Sequence, residues 1–179
     1  MPLTKVEWEN KSLVMIIGVC YAGNLIFGWV GYFFCQPSSV AQMLLYQIGN
    51  ACAISGCVMA ARYTGLRGQQ VTASAYILLG ITHGISLAAL GRASVNVERG
   101  MTMVMPMIPA LVFMFWCALY PKWLRIAGLI PLLFFLLVYI NVQLDNPYWG
   151  WHVNGGYATL QILEVLWGVY LFKDWQKRP

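Results

Sequence analysis

Two ionisable side chains sit where the sequence is otherwise almost free of charge. Glu164 lies near the middle of the last long apolar run, and His83 near the middle of the third. An ionisable group at the centre of a bilayer is costly, faces the bundle interior and by default marks a functional site. The plainer role for Glu164 is a protonated carboxyl that ties two helices together. Rises counted from the two membrane faces put His83 at a similar depth, on a helix running the opposite way. A carboxyl and an imidazole at one depth can pass a proton near neutral pH. The plainer role for His83 is a neutral core histidine bonded to an amide or a carbonyl. The catalytic expectation makes Glu164 a general acid and His83 a base or ligand.

Polar partners stand at the same level. Asn24 is central in the first run and Asn50 in the second, and Gln47 and Asn50 share a helical face. Tyr157, Gln161, Glu164 and Gly168 follow the spacing of one stripe on the last run; Tyr76, Gly80 and His83 do the same on the third. Taken together they predict a polar pocket at mid-membrane, with Asn24, Asn50, Gln47, Tyr76, Tyr157 and Gln161 binding a substrate. Taken singly, each is equally a packing contact worth roughly 0.6 kcal/mol.

The link before the last run, from Asn141 to Asn154, is rich in acceptors and aromatics. Asp145, Trp149, Trp151 and His152 within it could form a mouth over the pocket, or an ordinary aromatic belt with a turn. Arg92, Glu98 and Arg99 fall on the same side, where they could hold an acidic headgroup or Asp145. No metal site is expected, since the two histidines are far apart and no ligand spacing appears. A haem with His83 as its axial ligand is compatible with the sequence but has one histidine to rest on. Walker, dinucleotide, HExxH and GxSxG motifs are missing. No lysine lies inside a predicted helix, which excludes a retinal Schiff base.

The elements that must position these residues follow from composition. Of 179 residues, 60% are apolar and 9% are charged, against about 25% charged in an ordinary soluble domain. The charge deficit runs the full length, so one transmembrane domain over 1–179 is expected, with lipid as its surroundings. Six runs are long enough to cross, at about 12–34, 40–61, 71–91, 101–120, 124–142 and 153–172. Short connections with Pro and Gly make successive helices antiparallel neighbours. The predicted fold is an all-α, polytopic integral membrane protein, a six-transmembrane-helix up-and-down bundle with short loops. Strands are disfavoured, because a membrane barrel needs alternating runs of about ten residues.

Positive charges set an orientation. Lys5, Lys11, Arg62, Arg67, Lys122, Arg125, Lys173, Lys177 and Arg178 share one side, and only Arg92 and Arg99 the other. That bias predicts cytoplasmic N- and C-termini. The same scatter argues against nucleic-acid binding, which needs a basic face. Trp8, Trp123 and Trp175 are expected at the inner interface, and Tyr32, Trp149 and Trp151 at the outer. The cysteines Cys20, Cys35, Cys52, Cys57 and Cys117 form no metal or redox pair, and the first run is too long for a signal peptide. Gly28, Gly31, Gly49, Gly56, Gly80 and Gly84 permit close helix approach. Pro106, Pro109 and Pro131 predict bent fourth and fifth helices. No internal repeat of the transporter kind is present.

In outline the arrangement is similar to small membrane-bound isoprenoid cyclases, which protonate an epoxide or alkene with intramembrane carboxylates. Only Glu164 matches that pattern; no second carboxylate stands in an earlier helix. Helix spacing in the middle of the chain is also similar to the haem-dependent epoxide isomerases of membranes, but the second helix has no histidine. Neither likeness assigns a function. The favoured expectation is a membrane enzyme performing isomerase- or cyclase-type acid/base chemistry on an apolar molecule such as a lipid or terpenoid. The alternatives are a small proton- or cation-coupled transporter or channel, and an accessory subunit of a membrane complex. Partners are then the bilayer, an apolar ligand, and either a second copy or a complex.

Overall fold

The computed structural model describes residues 5–89, 104–144 and 149–177, with side chains from residue 10 onward except at position 149. Asp145, Arg92, Glu98 and Arg99 lie outside the described residues, as does the side chain of Trp149. The described residues are helical, with no strand among them. The helices are α1 (Lys5–Phe34), α2 (Val40–Leu66), α3 (Gln70–Ala89), α4 (Met107–Met114), α5 (Lys122–Ala127), α6 (Leu129–Gln143) and α7 (Trp149–Gln176).

Four stretches are long and apolar enough to cross a membrane: Asn10–Phe34, Val40–Leu66, Gln70–Ala89 and Lys122–Gln143. Their outward faces carry Val19, Ile26, Val58, Ile77 and Leu133, all more than half exposed in the isolated chain. A continuous apolar exterior of this kind is untenable in water. It marks the chain as an integral membrane protein.

Local chemistry explains where the helices stop. Ser39 caps α2, its side chain accepting from the Gln42 N–H at 3.2 Å. At the far end Gly68 adopts φ of 75°, which lets the Gln69 N–H return to the Thr64 carbonyl at 2.9 Å. Pro131 cannot donate to the carbonyl four residues back, so the helix is interrupted at Gly128 between α5 and α6.

The stretch expected as a fourth helix over 101–120 departs from that reading. Residues 101–103 lie outside the described residues, and α4 covers only Met107–Met114, with Pro109 in its first turn. Beyond it the bonds tighten to three-residue spacing, from the Phe115, Trp116 and Cys117 N–H groups to Val112, Phe113 and Met114. The Ala118 N–H leaves the ladder and donates to Gln69 Oε1 at 3.1 Å.

Neighbours close into a ring: α1 on α2, α2 on α3, α3 on α4, α4 on α6, α6 on α7, and α7 back on α1. Close approach needs missing side chains. A Cβ at Gly56 would lie 2.8 Å from the Tyr21 ring, and one at Gly156 2.6 Å from Phe135. Gly168 approaches Ile17 and Gly18, while Gly28 approaches Gln161 further along, so α1 and α7 are antiparallel. Arg67 at the end of α2 meets Asp174 near the end of α7, with nitrogen and oxygen 3.5 Å apart. The start of α1 and the ends of α2 and α7 therefore share one end of the bundle.

Candidate functional site

Glu164 and His83 meet. His83 Nε2 lies 2.9 Å from Glu164 Oε1, and both side chains are buried, at 1% and 0% exposure. Each of the other heteroatoms is also engaged. Asn24 Nδ2 donates to Glu164 Oε2 at 2.7 Å, and Asn50 Oδ1 lies 3.0 Å from His83 Nδ1. Four residues from α1, α2, α3 and α7 thus form one chain of bonds: Asn24, Glu164, His83, Asn50.

The ends of that chain fix its protons. Asn50 Nδ2 donates to the Tyr46 carbonyl at 2.9 Å, so the amide oxygen is the atom turned to the imidazole. An oxygen acceptor at Nδ1 requires the hydrogen on Nδ1. Asn24 donates its amide to the carboxyl, and its own oxygen accepts a long bond of 3.4 Å from Gln161 Nε2. A hydrogen bond across the 2.9 Å between Nε2 and Oε1 then needs one further proton, on one atom or the other. On the nitrogen it makes an imidazolium–carboxylate pair, and on the oxygen a neutral pair. Both states have zero net charge, which limits the desolvation cost of holding the pair inside a membrane.

A cavity of about 690 Å3 adjoins this network. His83, Asn24, Asn50 and Gln161 stand on its wall with Ser86 and Tyr157, whose hydroxyls are 2.7 Å apart. Glu164 lies behind His83, out of the lining. The remaining wall is largely aromatic: Trp29, Tyr32, Phe33, Tyr46, Phe134 and Trp151. Tyr157 also places its ring edge-on to His83, with centroids 6.4 Å apart. The volume and the mix of apolar wall with few convergent polar groups are those of a small-molecule site.

Glycine makes the polar cluster fit. A Cβ at Gly28 would fall 2.4 Å from Gln161 Nε2, and one at Gly49 3.3 Å from Asn24 Oδ1. The α1–α2–α7 junction closes around side-chain amides rather than apolar groups.

On the opposite side of the network the bundle is filled. Tyr21, Tyr76, Tyr120 and Trp167 are all buried. The Tyr76 and Tyr120 hydroxyls bond to each other, the Tyr120 ring stacks on Trp167 at 6.2 Å, and Tyr21 OH reaches Cys57 Sγ at 3.7 Å.

Of the residues expected to bind a substrate, Asn24, Asn50, Tyr157, Gln161 and Trp151 line the cavity. Tyr76 does not: it shares a stripe with His83 but sits two turns away, about 10 Å along the axis, in the aromatic floor. Gln47 is half-buried outside the lining, because three residues from Asn50 still leave it rotated by roughly 60°. His152 is half-buried and likewise outside the lining. Ser86 and Tyr46 also line the cavity, and no motif in the sequence singles them out. Their only signal is position, one turn after His83 and one turn before Asn50. Haem ligation by His83 would cost it the bond to Asn50 or the bond to Glu164. No group of three His, Cys, Asp or Glu suited to a metal occurs among the described residues.

Comparison with known protein families, with curated proteins and with solved structures finds no match to this chain.

Proposed function

We propose that this protein is a membrane-embedded enzyme that moves a proton on an apolar small molecule, by isomerase- or cyclase-type acid/base chemistry. The reading rests on one observation above all: a buried Glu164–His83 pair whose histidine stands on the wall of a large aromatic cavity. His83 exchanges a proton with the guest, and Glu164 stores or returns the matching proton across 2.9 Å. For that exchange Nδ1 must release Asn50, which rotation of the Asn50 amide allows. Ser86 and Tyr157 offer a hydroxyl pair to an oxygen of the guest, and the aromatic wall takes its hydrocarbon body. A lipid or terpenoid with one oxygen function has that shape and polarity.

The buried aromatic floor favours an enzyme over a conduit. An open channel needs a path through its site to both faces, whereas here one side is packed by Tyr21, Tyr76, Tyr120 and Trp167. We further propose six crossings, with the 104–120 segment and α7 completing the four apolar spans, and both termini in the cytoplasm. Nine cationic residues on the terminal side against two on the other support that orientation.

The test has two steps. Native mass spectrometry of protein extracted in mild detergent identifies the apolar molecule it retains. That molecule is then incubated with protein in heavy water. Wild type is expected to exchange deuterium into a carbon position, and Glu164→Gln to lose at least a hundredfold of that rate while still retaining the molecule. Equal exchange by wild type, Glu164→Gln and His83→Ala would end the proposal. Proton flux in proteoliposomes that Glu164→Gln abolishes would replace it with transport, and a co-purifying unrelated subunit with an accessory role.

A further inference from the structure

Away from the cavity, the outer face of α5 and α6 combines charge and apolar surface in a second arrangement. A shallow, open groove of about 290 Å3 is lined by Phe115, Lys122, Arg125 and Ile126. The Arg125 guanidinium is poorly satisfied there. Its Nη1 makes one long bond of 3.5 Å to the Phe115 carbonyl, and its Nε is buried without a partner among the described residues. An anionic oxygen is the partner that a guanidinium binds most strongly. Lys122 lies three residues earlier on the same side of the helix, and it is exposed.

Below the two cations runs an apolar stripe. Ile126, Ile130, Leu133 and Leu137 follow at helical spacing, and all four are exposed. From Lys122 to Leu137 the two helices, broken once at Gly128, rise by up to about 22 Å at 1.5 Å per residue. That reaches from the headgroup zone through one leaflet of about 15 Å. Trp123, also exposed, stands at the charged end, where an indole suits the interface.

We propose that this groove binds one anionic phospholipid, its phosphate on Arg125 and Lys122 and an acyl chain along the stripe from Ile126 to Leu137. A soluble phosphate would use the cations and leave the stripe unused. The site is independent of the chemistry at Glu164 and His83.

Native mass spectrometry from micelles containing equal phosphatidylglycerol and phosphatidylcholine tests it. Wild type is expected to retain one phosphatidylglycerol in preference to phosphatidylcholine. Arg125→Gln lowers that preference about tenfold, and Lys122→Gln about fivefold. Lys122 is exposed, so its variant keeps the test valid should Arg125→Gln fail to fold. Arg62→Gln, which removes an exposed cation elsewhere on the same side, leaves retention unchanged. Equal retention of the two lipids by wild type, or unchanged preference in the Lys122 variant, overturns the proposal. Displacement of the lipid by millimolar glycerol phosphate, itself retained, assigns the groove to a soluble anion and overturns it as well.

Discussion

A buried hydrogen-bonding group is most costly to remove when its partners stay behind. Glu164 has two such partners, Asn24 and His83. Glu164→Gln preserves both contacts: the amide oxygen accepts from Asn24 and the amide nitrogen donates to His83 Nε2. Thermal unfolding in detergent should therefore show a loss within about 1 kcal/mol. Glu164→Leu strands the Asn24 amide and the imidazole together, and a loss of about 2–5 kcal/mol is expected from two orphaned groups. If the leucine variant proved as stable as the glutamine variant, the bonds to Asn24 and His83 would not be what holds this junction. The pair of variants also separates stability from chemistry, since only the proton is missing in Glu164→Gln. Glu164 and His83 are legible in the sequence through the rarity of ionisable groups in apolar runs. The pairing of Asn24 with the carboxyl and Asn50 with the imidazole is not, because it depends on how each helix is rotated about its own axis.

Among the helices, contact is made where side chains are missing. Gly56 faces the Tyr21 ring so closely that a Cβ would sit 2.8 Å from it, while Gly84 has no atom within 4 Å of that position. Gly56→Val should cost about 1–3 kcal/mol through overpacking. Gly84→Ala, in a helix interior with open space, should leave stability unchanged or raise it by up to about 1 kcal/mol. Equal melting temperatures for the two variants would contradict the packing of α1 on α2. The tie between α2 and α7 is weaker. Asp174 accepts from Tyr63 OH at 2.8 Å and pairs with Arg67, both charged groups being 17% exposed. Asp174→Asn keeps an oxygen for the Tyr63 hydroxyl but loses the charge opposite Arg67, and should cost about 1–2 kcal/mol, read from the same melts. Gly56 and Gly84 look alike in the sequence; only the neighbour that each meets tells them apart.

For the molecule as a whole, the proposed orientation puts the α1–α2 turn outside. Cys35, half-buried at the end of α1, should react with an impermeant maleimide added to right-side-out vesicles. Cys57 and Cys117 are buried and should stay unlabelled until the protein is denatured. Labelling of Cys35 only from the cytoplasmic side would invert the topology and move the cavity mouth with it.

Composition and run length by themselves determined that the chain is helical and membrane-bound, because backbone groups in hydrocarbon must be satisfied within a segment. They also singled out the two ionisable residues, because the bilayer penalises charge wherever it falls. Tertiary structure decided the rest. Within the described part of the fourth segment it started α4 after Pro106 and ended it at Met114, where tightened turns and the bond from Ala118 to Gln69 take the chain off the helical ladder. It sent Tyr76 to the aromatic floor and brought Ser86 and Tyr46 to the cavity. Helical periodicity states which residues share a face, whereas membership of a site also needs the depth and rotation of five packed helices, which only their mutual packing fixes.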